Sequence, residues 1–353
     1  MIYFDNAATA IKRKEILQYI LENKESFDGN PESVHAMGRE SKKILEDSRN
    51  SIAASINADP KNLIFTSGAT EANNTVVKAF KYSKVITSAI EHDSILNSID
   101  KDKTILLDSN KDGIISVDEL KKNISDDVGL IAIMYVNNET GAIEPIKKIG
   151  DYLADKDIWF HVDAVQAYGH IDIDVLDLKC DSMSLSAHKV GGLNGFGALY
   201  LKENIDSFMK GGEQEKNRRA GTSFVAGAYS MADSYPKMLK ERIHIKNLKE
   251  HFVKSLDDTN LDYEINGNLE NSSDHVLNIY FKDYKSDFLL TYLDMNGICA
   301  SAGSACRAGS ILPSHVITNM YDENRAEHSI RFSFGYENTI EEVDKTIENL
   351  SNL

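Results

Sequence analysis

Short runs rich in β-branched and apolar residues recur through the first half of the chain, each separated from the next by a helix-length segment. Residues 63–66, 84–88, 104–107, 130–136, 158–162 and 182–185 have this character. The alternation restricts the chain to an α/β fold, with a mostly parallel mixed sheet flanked by helices. Residues 40–56 place Ile44, Leu45, Ile52 and Ile56 at helical spacing, which marks a helix packed on one face. A long helical stretch from about Val225 to Ser255 reads as a connector. Beyond it, strands near 263–265, 275–281 and 329–334 and a helix from Glu341 predict a smaller α+β domain. At 353 residues the chain exceeds the usual size of one domain. The expected division is a large domain over 15–251 and a small domain built from 1–14 and 252–353. No internal repeat supports a solenoid.

The balance of charge narrows the partners. Acidic residues outnumber basic ones by 55 to 39, for a net charge of −16. Such a surface repels phosphate backbones and anionic lipid, so neither nucleic acid nor membrane is expected as a direct partner. No apolar run approaches a membrane span, and Met1-Ile2-Tyr3-Phe4-Asp5 is no basic-then-apolar leader. A cytoplasmic protein is the expectation. Three cysteines, Cys180, Cys299 and Cys306, are an odd number over a long chain, so reduced thiols are expected rather than a disulfide framework.

One motif points elsewhere. Asp108, Asn110, Asp112, Gly113 and Glu119 match every fixed position of an EF-hand loop. An EF-hand needs a helix on each side, whereas residues 104–107 read as a strand. The expectation is therefore a strand end, an Asp/Asn/Gly turn and a helix opening near Ser116 with Glu119 as its capping partner.

Three other clusters carry chemistry. Ser67-Gly68-Ala69-Thr70-Glu71 follows a strand and opens a helix, so free backbone N–H groups and a hydroxyl meet where phosphate binds. Asp163 stands just past a strand end, where α/β sheets hold ligands. Lys189 follows another strand, flanked by Ser186 and His188 and followed by Gly191, Gly192, Gly195 and Gly197, which suits a Schiff base beside a phosphate pocket. Each cluster alone has an ordinary reading as a turn, a helix cap or a surface lysine. Phosphate turn, acid for a pyridinium nitrogen and lysine in that order suggest a pyridoxal-phosphate (PLP) site.

With these clusters, further segments make the chain resemble the cysteine desulfurases of the NifS/IscS type, within the class V aminotransferases of PLP fold type I. They are Phe4-Asp5-Asn6-Ala7-Ala8-Thr9, Gly29-Asn30-Pro31-Glu32-Ser33-Val34-His35, Glu91-His92, Asn137-Asn138-Glu139-Thr140-Gly141, Arg219-Ala220-Gly221-Thr222, Ser301 to Cys306, and Ser329-Ile330-Arg331-Phe332-Ser333. The resemblance covers nearly the whole chain. It implies that Lys189 carries the cofactor, Asp163 pairs with its ring nitrogen, Gln166 bonds the ring oxygen and His92 stacks on the ring. Ala69, Thr70, Ser186 and His188 would cradle the phosphate, joined by Thr222 from the other subunit of a homodimer. Asn30, His35, Asn138 and Arg331 would bind L-cysteine, Arg331 taking its carboxylate and Asn138 also touching the cofactor.

The same resemblance makes Cys306 the sulfur acceptor, with the product persulfide passed to an acceptor protein for iron–sulfur cluster assembly, thio-cofactors or tRNA thiolation. No stable metal site is implied, only Cys306 as a transient iron–sulfur ligand. Cys306 sits among small residues, Ala300-Ser301-Ala302-Gly303-Ser304-Ala305, without the bulky apolar neighbours of a buried structural thiol. Arg307 beside it is expected to favour the thiolate. Leu193, Asn194, Glu213 and Arg307 depart from the usual family residues. A selenocysteine lyase or another class V PLP lyase or aminotransferase is the alternative, and a non-enzymatic PLP- or calcium-binding regulator the more remote one.

Overall fold

The structure, a computed structural model, describes residues 1–81, 83–303 and 313–353. Its strands are β1 (Ile2–Tyr3), β2 (Leu63–Thr66), β3 (Lys84–Ser88), β4 (Thr104–Leu107), β5 (Val128–Met134), β6 (Trp159–Asp163), β7 (Ser182–Ser186), β8 (Gly197–Leu201), β9 (Tyr263–Ile265), β10 (Val276–Phe281), β11 (Ile298–Cys299) and β12 (Ser329–Ser333). Seven of them form one sheet in the order β2-β8-β7-β6-β5-β3-β4. Only β8 runs antiparallel to its neighbours. The other six strands therefore deliver their carboxyl ends to a single edge, the edge at which such sheets hold ligands.

Residues buried on both faces explain why these strands read as apolar runs rather than as alternating ones. Every residue of β2, β7 and β8 is buried. Two expected strands shift by one or two residues. β5 begins at Val128 because Val128 pairs with Lys84 across a bulge between Lys84 and Val85. β6 runs through Asp163, which pairs with both Met134 and Ser184.

The helix Ala36–Ala54 buries Leu45 and Ile52 as its periodicity requires, whereas Ile44 is only partly covered. Val225–Asp257 is a single long helix that packs against both Ala36–Ala54 and the C-terminal helix Ile340–Ser351. Beyond it, β12, β10 and β9 form an antiparallel three-stranded sheet. The N-terminus joins this part: β1 pairs parallel with β11, and the Phe4 ring meets Phe252, Phe332 and Phe334 edge-on. Fully burying an aromatic ring of this kind contributes about 1.5–3 kcal/mol.

The EF-hand-like segment folds as a strand, a turn and a helix. β4 precedes it, Asn110 Oδ1 accepts from the backbone N–H of Asp112 and Ile114, and Gly113 takes a φ of 77°. The helix Val117–Asn123 follows, with Ser116 Oγ accepting from Glu119 N–H. No group of three or more metal-ligating side chains occurs among the described residues, and no described helix is long and apolar enough to cross a membrane.

Candidate active site

A cavity of about 380 Å³ opens at the carboxyl edge of the large sheet. Ala69, Thr70, His92, Asn138, Asp163, Gln166, Ser186, His188, Lys189 and Arg331, predicted from segments scattered along the sequence, all line it. Asn30, His35 and Thr222 lie outside its lining. Cys306 and Arg307 lie outside the described residues.

Strand ends position the central groups. Asp163 closes β6 and is almost fully buried. Its Oδ1 accepts from Val165 N–H at 3.0 Å and its Oδ2 from Asn73 Nδ2 at 2.7 Å. β7 ends at Ser186, and a single 3₁₀ turn, Ala187–Lys189, presents the lysine. Lys189 Nζ donates to the carbonyls of Ala7 and Ala8 at 2.6 and 2.9 Å. Gln166 Nε2 donates to that same Ala7 carbonyl at 2.9 Å, while Gln166 Oε1 is 2.9 Å from His275 Nε2. The N-terminal segment thus forms a wall of the cavity and supplies backbone acceptors to two of its key side chains.

The phosphate-type turn forms as its sequence predicts. β2 leads into Gly68 and then the helix Ala69–Ala79. Gly68 has a φ of 148°, a conformation that side chains rarely adopt. Gly197 answers a different need, since a Cβ there would lie 2.8 Å from Gly68 Cα. Glu71 braces the turn by accepting from Ser67 N–H at 2.7 Å and from Arg219 at 2.8 Å. Beside the turn, burial, reinforced by the charges of Lys189 and Lys12, pushes the His188 pKa down to about 3. The ring is neutral at pH 7, its Nδ1 3.0 Å from Thr9 Oγ1.

His92 caps the short helix Asp93–Leu96, its Nδ1 accepting from Ser94 N–H at 3.1 Å and lying 2.9 Å from Ser94 Oγ. Arg331, on β12, is 1% exposed and lines the same cavity. It donates to Asn138 O at 2.8 Å and to Asp5 Oδ1 at 2.7 Å, and its Nε has no hydrogen-bond partner among the described residues. A buried cation on a cavity lining is suited to a carboxylate.

The three residues outside the cavity have local contacts. Asn30 Oδ1 accepts from Glu32 N–H, and His35 Nδ1 accepts from Gly38 N–H as the cap of the helix Ala36–Ala54. Thr222 borders a smaller cleft that shares Ser67 and Gly195 with the main cavity. Cys180 is buried, which raises its thiol pKa, and Cys299 is partly buried with a thiol raised by the same cause.

Sequence reasoning assigned no role to Asp5, Asn73, Ser94, His161 or His275, although each bonds a cavity residue or a partner of one. A carboxamide among Ala72, Val76 and Val77, on the otherwise apolar buried face of its helix, was the available signal for Asn73, which is fully buried.

The aminotransferase class-V family model matches residues 2–346. The "Putative cysteine desulfurase IscS 1" of Bacillus subtilis is 38% identical over 371 aligned positions, which cover 100% of this chain and 98% of the relative. Among solved structures, a NifS-like protein superposes with a TM-score of 0.90 at 29% identity, over 99% of this chain and 98% of its own. SspA in complex with cysteine gives a TM-score of 0.83 at 30% identity, over 95% of this chain and 99% of its own.

Proposed function

Because this chain belongs to the aminotransferase class-V family, to which it is matched over nearly its full length, we propose that it is a PLP-dependent cysteine desulfurase converting L-cysteine to L-alanine. The observation that carries this reading is the convergence on one cavity of Lys189, a buried carboxylate at Asp163, and the N-terminus of the helix Ala69–Ala79. The residues fit the cofactor. Backbone N–H groups at the helix start and the hydroxyls of Thr70 and Ser186 suit its phosphate, Asp163 its ring nitrogen, and Lys189 a covalent link. When bound, PLP supplies an electron sink for the substrate carbon that has lost its proton.

The side chains then divide the remaining work. Arg331, on the cavity lining, holds the substrate carboxylate, with Asn138 beside it. Lys189 Nζ removes and returns the proton on the substrate Cα. His92 accepts at Nδ1, so the proton of its neutral ring sits on Nε2. The Cys306 thiolate attacks the substrate sulfur. The S–S bond forms as the substrate C–S bond breaks, the electron pair stays with the carbon fragment, and proton uptake gives alanine. The persulfide left on Cys306 passes to an acceptor protein. Thr222 completes the phosphate site of the second subunit in a homodimer.

Reduction with borohydride tests the anchor. We predict that the wild-type protein retains PLP covalently after reduction and that Lys189→Ala does not. A reduced linkage persisting in the purified variant would assign the cofactor to another lysine.

A further inference from the structure

Two of the proposed cofactor contacts, Asp163 and His92, are joined through a buried side chain that touches neither substrate nor cofactor in the scheme above. Asn73 is 0% exposed, on the helix that opens at the phosphate turn. Its Nδ2 donates to Asp163 Oδ2 at 2.7 Å and to Ser94 Oγ at 2.8 Å, which uses both amide hydrogens. Its Oδ1 lies 3.0 Å from His161 Nε2.

The direction of these bonds follows from the carboxamide, whose Nδ2 faces the Asp163 carboxylate and whose Oδ1 faces His161. Trp159 Nε1–H, a group that can only donate, points at Ser182 Oγ at 2.7 Å. Ser182 Oγ is in turn 2.8 Å from His161 Nδ1. Asn73 Oδ1 can only accept, so His161 turns Nε2–H to it and accepts the Ser182 O–H at Nδ1, while Ser182 Oγ accepts from the indole. Burial pushes the His161 pKa down to about 3, so the ring is neutral and carries its one proton on Nε2, facing the Asn73 carbonyl. That contact holds the carboxamide this way round. A flipped amide would turn its oxygen towards the Asp163 carboxylate. Ser94, accepting from Asn73, has its own proton for His92 Nδ1, 2.9 Å away.

We propose that Asn73 is a positioning residue for this reaction, holding Asp163 and His92 in one register, and that His161 fixes the orientation of its carboxamide. The acid that meets the cofactor ring nitrogen and the imidazole that meets the ring are thereby set by one buried amide. The chain Trp159, Ser182, His161, Asn73, Ser94 and His92 joins the sheet interior to the cavity.

This inference rests on the PLP reading, so the wild-type protein is titrated with PLP first, and a failure of that reading appears there. Four variants then separate the arms. Asn73→Leu and His161→Phe are each expected to weaken PLP binding about 10-fold, the size expected for losing a hydrogen bond to a charged group. His161→Gln, which keeps a donor towards Asn73, is expected to stay within about 3-fold of wild type. Ser94→Ala breaks only the branch to His92, so it should keep PLP affinity within about 3-fold, lower kcat about 10-fold and leave KM for cysteine near the wild-type value. The His161 pair and Ser94→Ala carry the test even where Asn73→Leu does not fold. Equal PLP affinity in His161→Phe and His161→Gln, or wild-type kcat in Ser94→Ala, would overturn the proposal.

Discussion

Glu144 carries a carboxyl group that burial pushes up to about 8. One of its oxygens accepts from Ile115 N–H at 3.1 Å and the other has no hydrogen-bond partner among the described residues, so the folded protein favours the protonated acid. Between its ordinary value of 4.5 and about 8, the folded state binds more protons here than the unfolded state. Its contribution is fully present below the lower value and is lost as pH rises to the higher one. We predict that Glu144→Gln, uncharged at every pH, gains stability over wild type as pH rises from about 5 to about 8.5, by on the order of a few kcal/mol. Parallel melting curves of the two proteins across that range would contradict the assignment. At this scale the sequence was most informative where a residue type has few uses in its setting: a lysine after a strand, an aspartate at a strand end. It was silent on Asn73, Ser94 and His161, ordinary polar residues until three separated segments bring them within hydrogen-bond distance.

Elements were legible where periodicity is strong and hidden where glycine dominates. β2, β3 and β4 fall where their apolar runs predict. β8 was missed because residues 191–197 read as a glycine-rich pocket margin, yet the strand beginning at Gly197 slots between β2 and β7. Its insertion sets the phosphate turn beside the lysine-bearing turn. The 108–119 segment shows why context outranks a motif: Asn110 Oδ1 is already taken by two backbone N–H groups of its own loop, and Asp108 Oδ1 accepts from Asn319 at 2.8 Å. We predict no sub-micromolar calcium affinity by calorimetry on chelator-treated protein. Tight binding abolished by Glu119→Gln would reinstate the EF-hand reading.

The whole molecule brings the N-terminal segment, the large sheet and β12 to one cavity, an arrangement that local patterns announce only in part. We propose the division into 15–251 and 1–14 with 252–353, with Phe4 packed among Phe252, Phe332 and Phe334 supporting the place of the N-terminus. Thr222 outside its own chain's cavity lining accords with service to a partner subunit. Mixed dimers of a Lys189→Ala chain and a Thr222→Val chain test this, because only one of their two sites would have both groups. We predict about one tightly held PLP and about half the wild-type activity per mixed dimer. Activity no higher than that of the Thr222→Val homodimer would place Thr222 in its own subunit's site. The sulfur acceptor is the part of the account that rests on sequence, since Cys306 lies outside the described residues. The central claim is tested by incubating the purified holoenzyme with L-cysteine in the absence of reductant and measuring alanine and protein-bound persulfide in the same sample. The account predicts one alanine for each persulfide in the first turnover, and almost none of either in Cys306→Ser; no alanine from the wild-type holoenzyme, or undiminished alanine from Cys306→Ser, would contradict it.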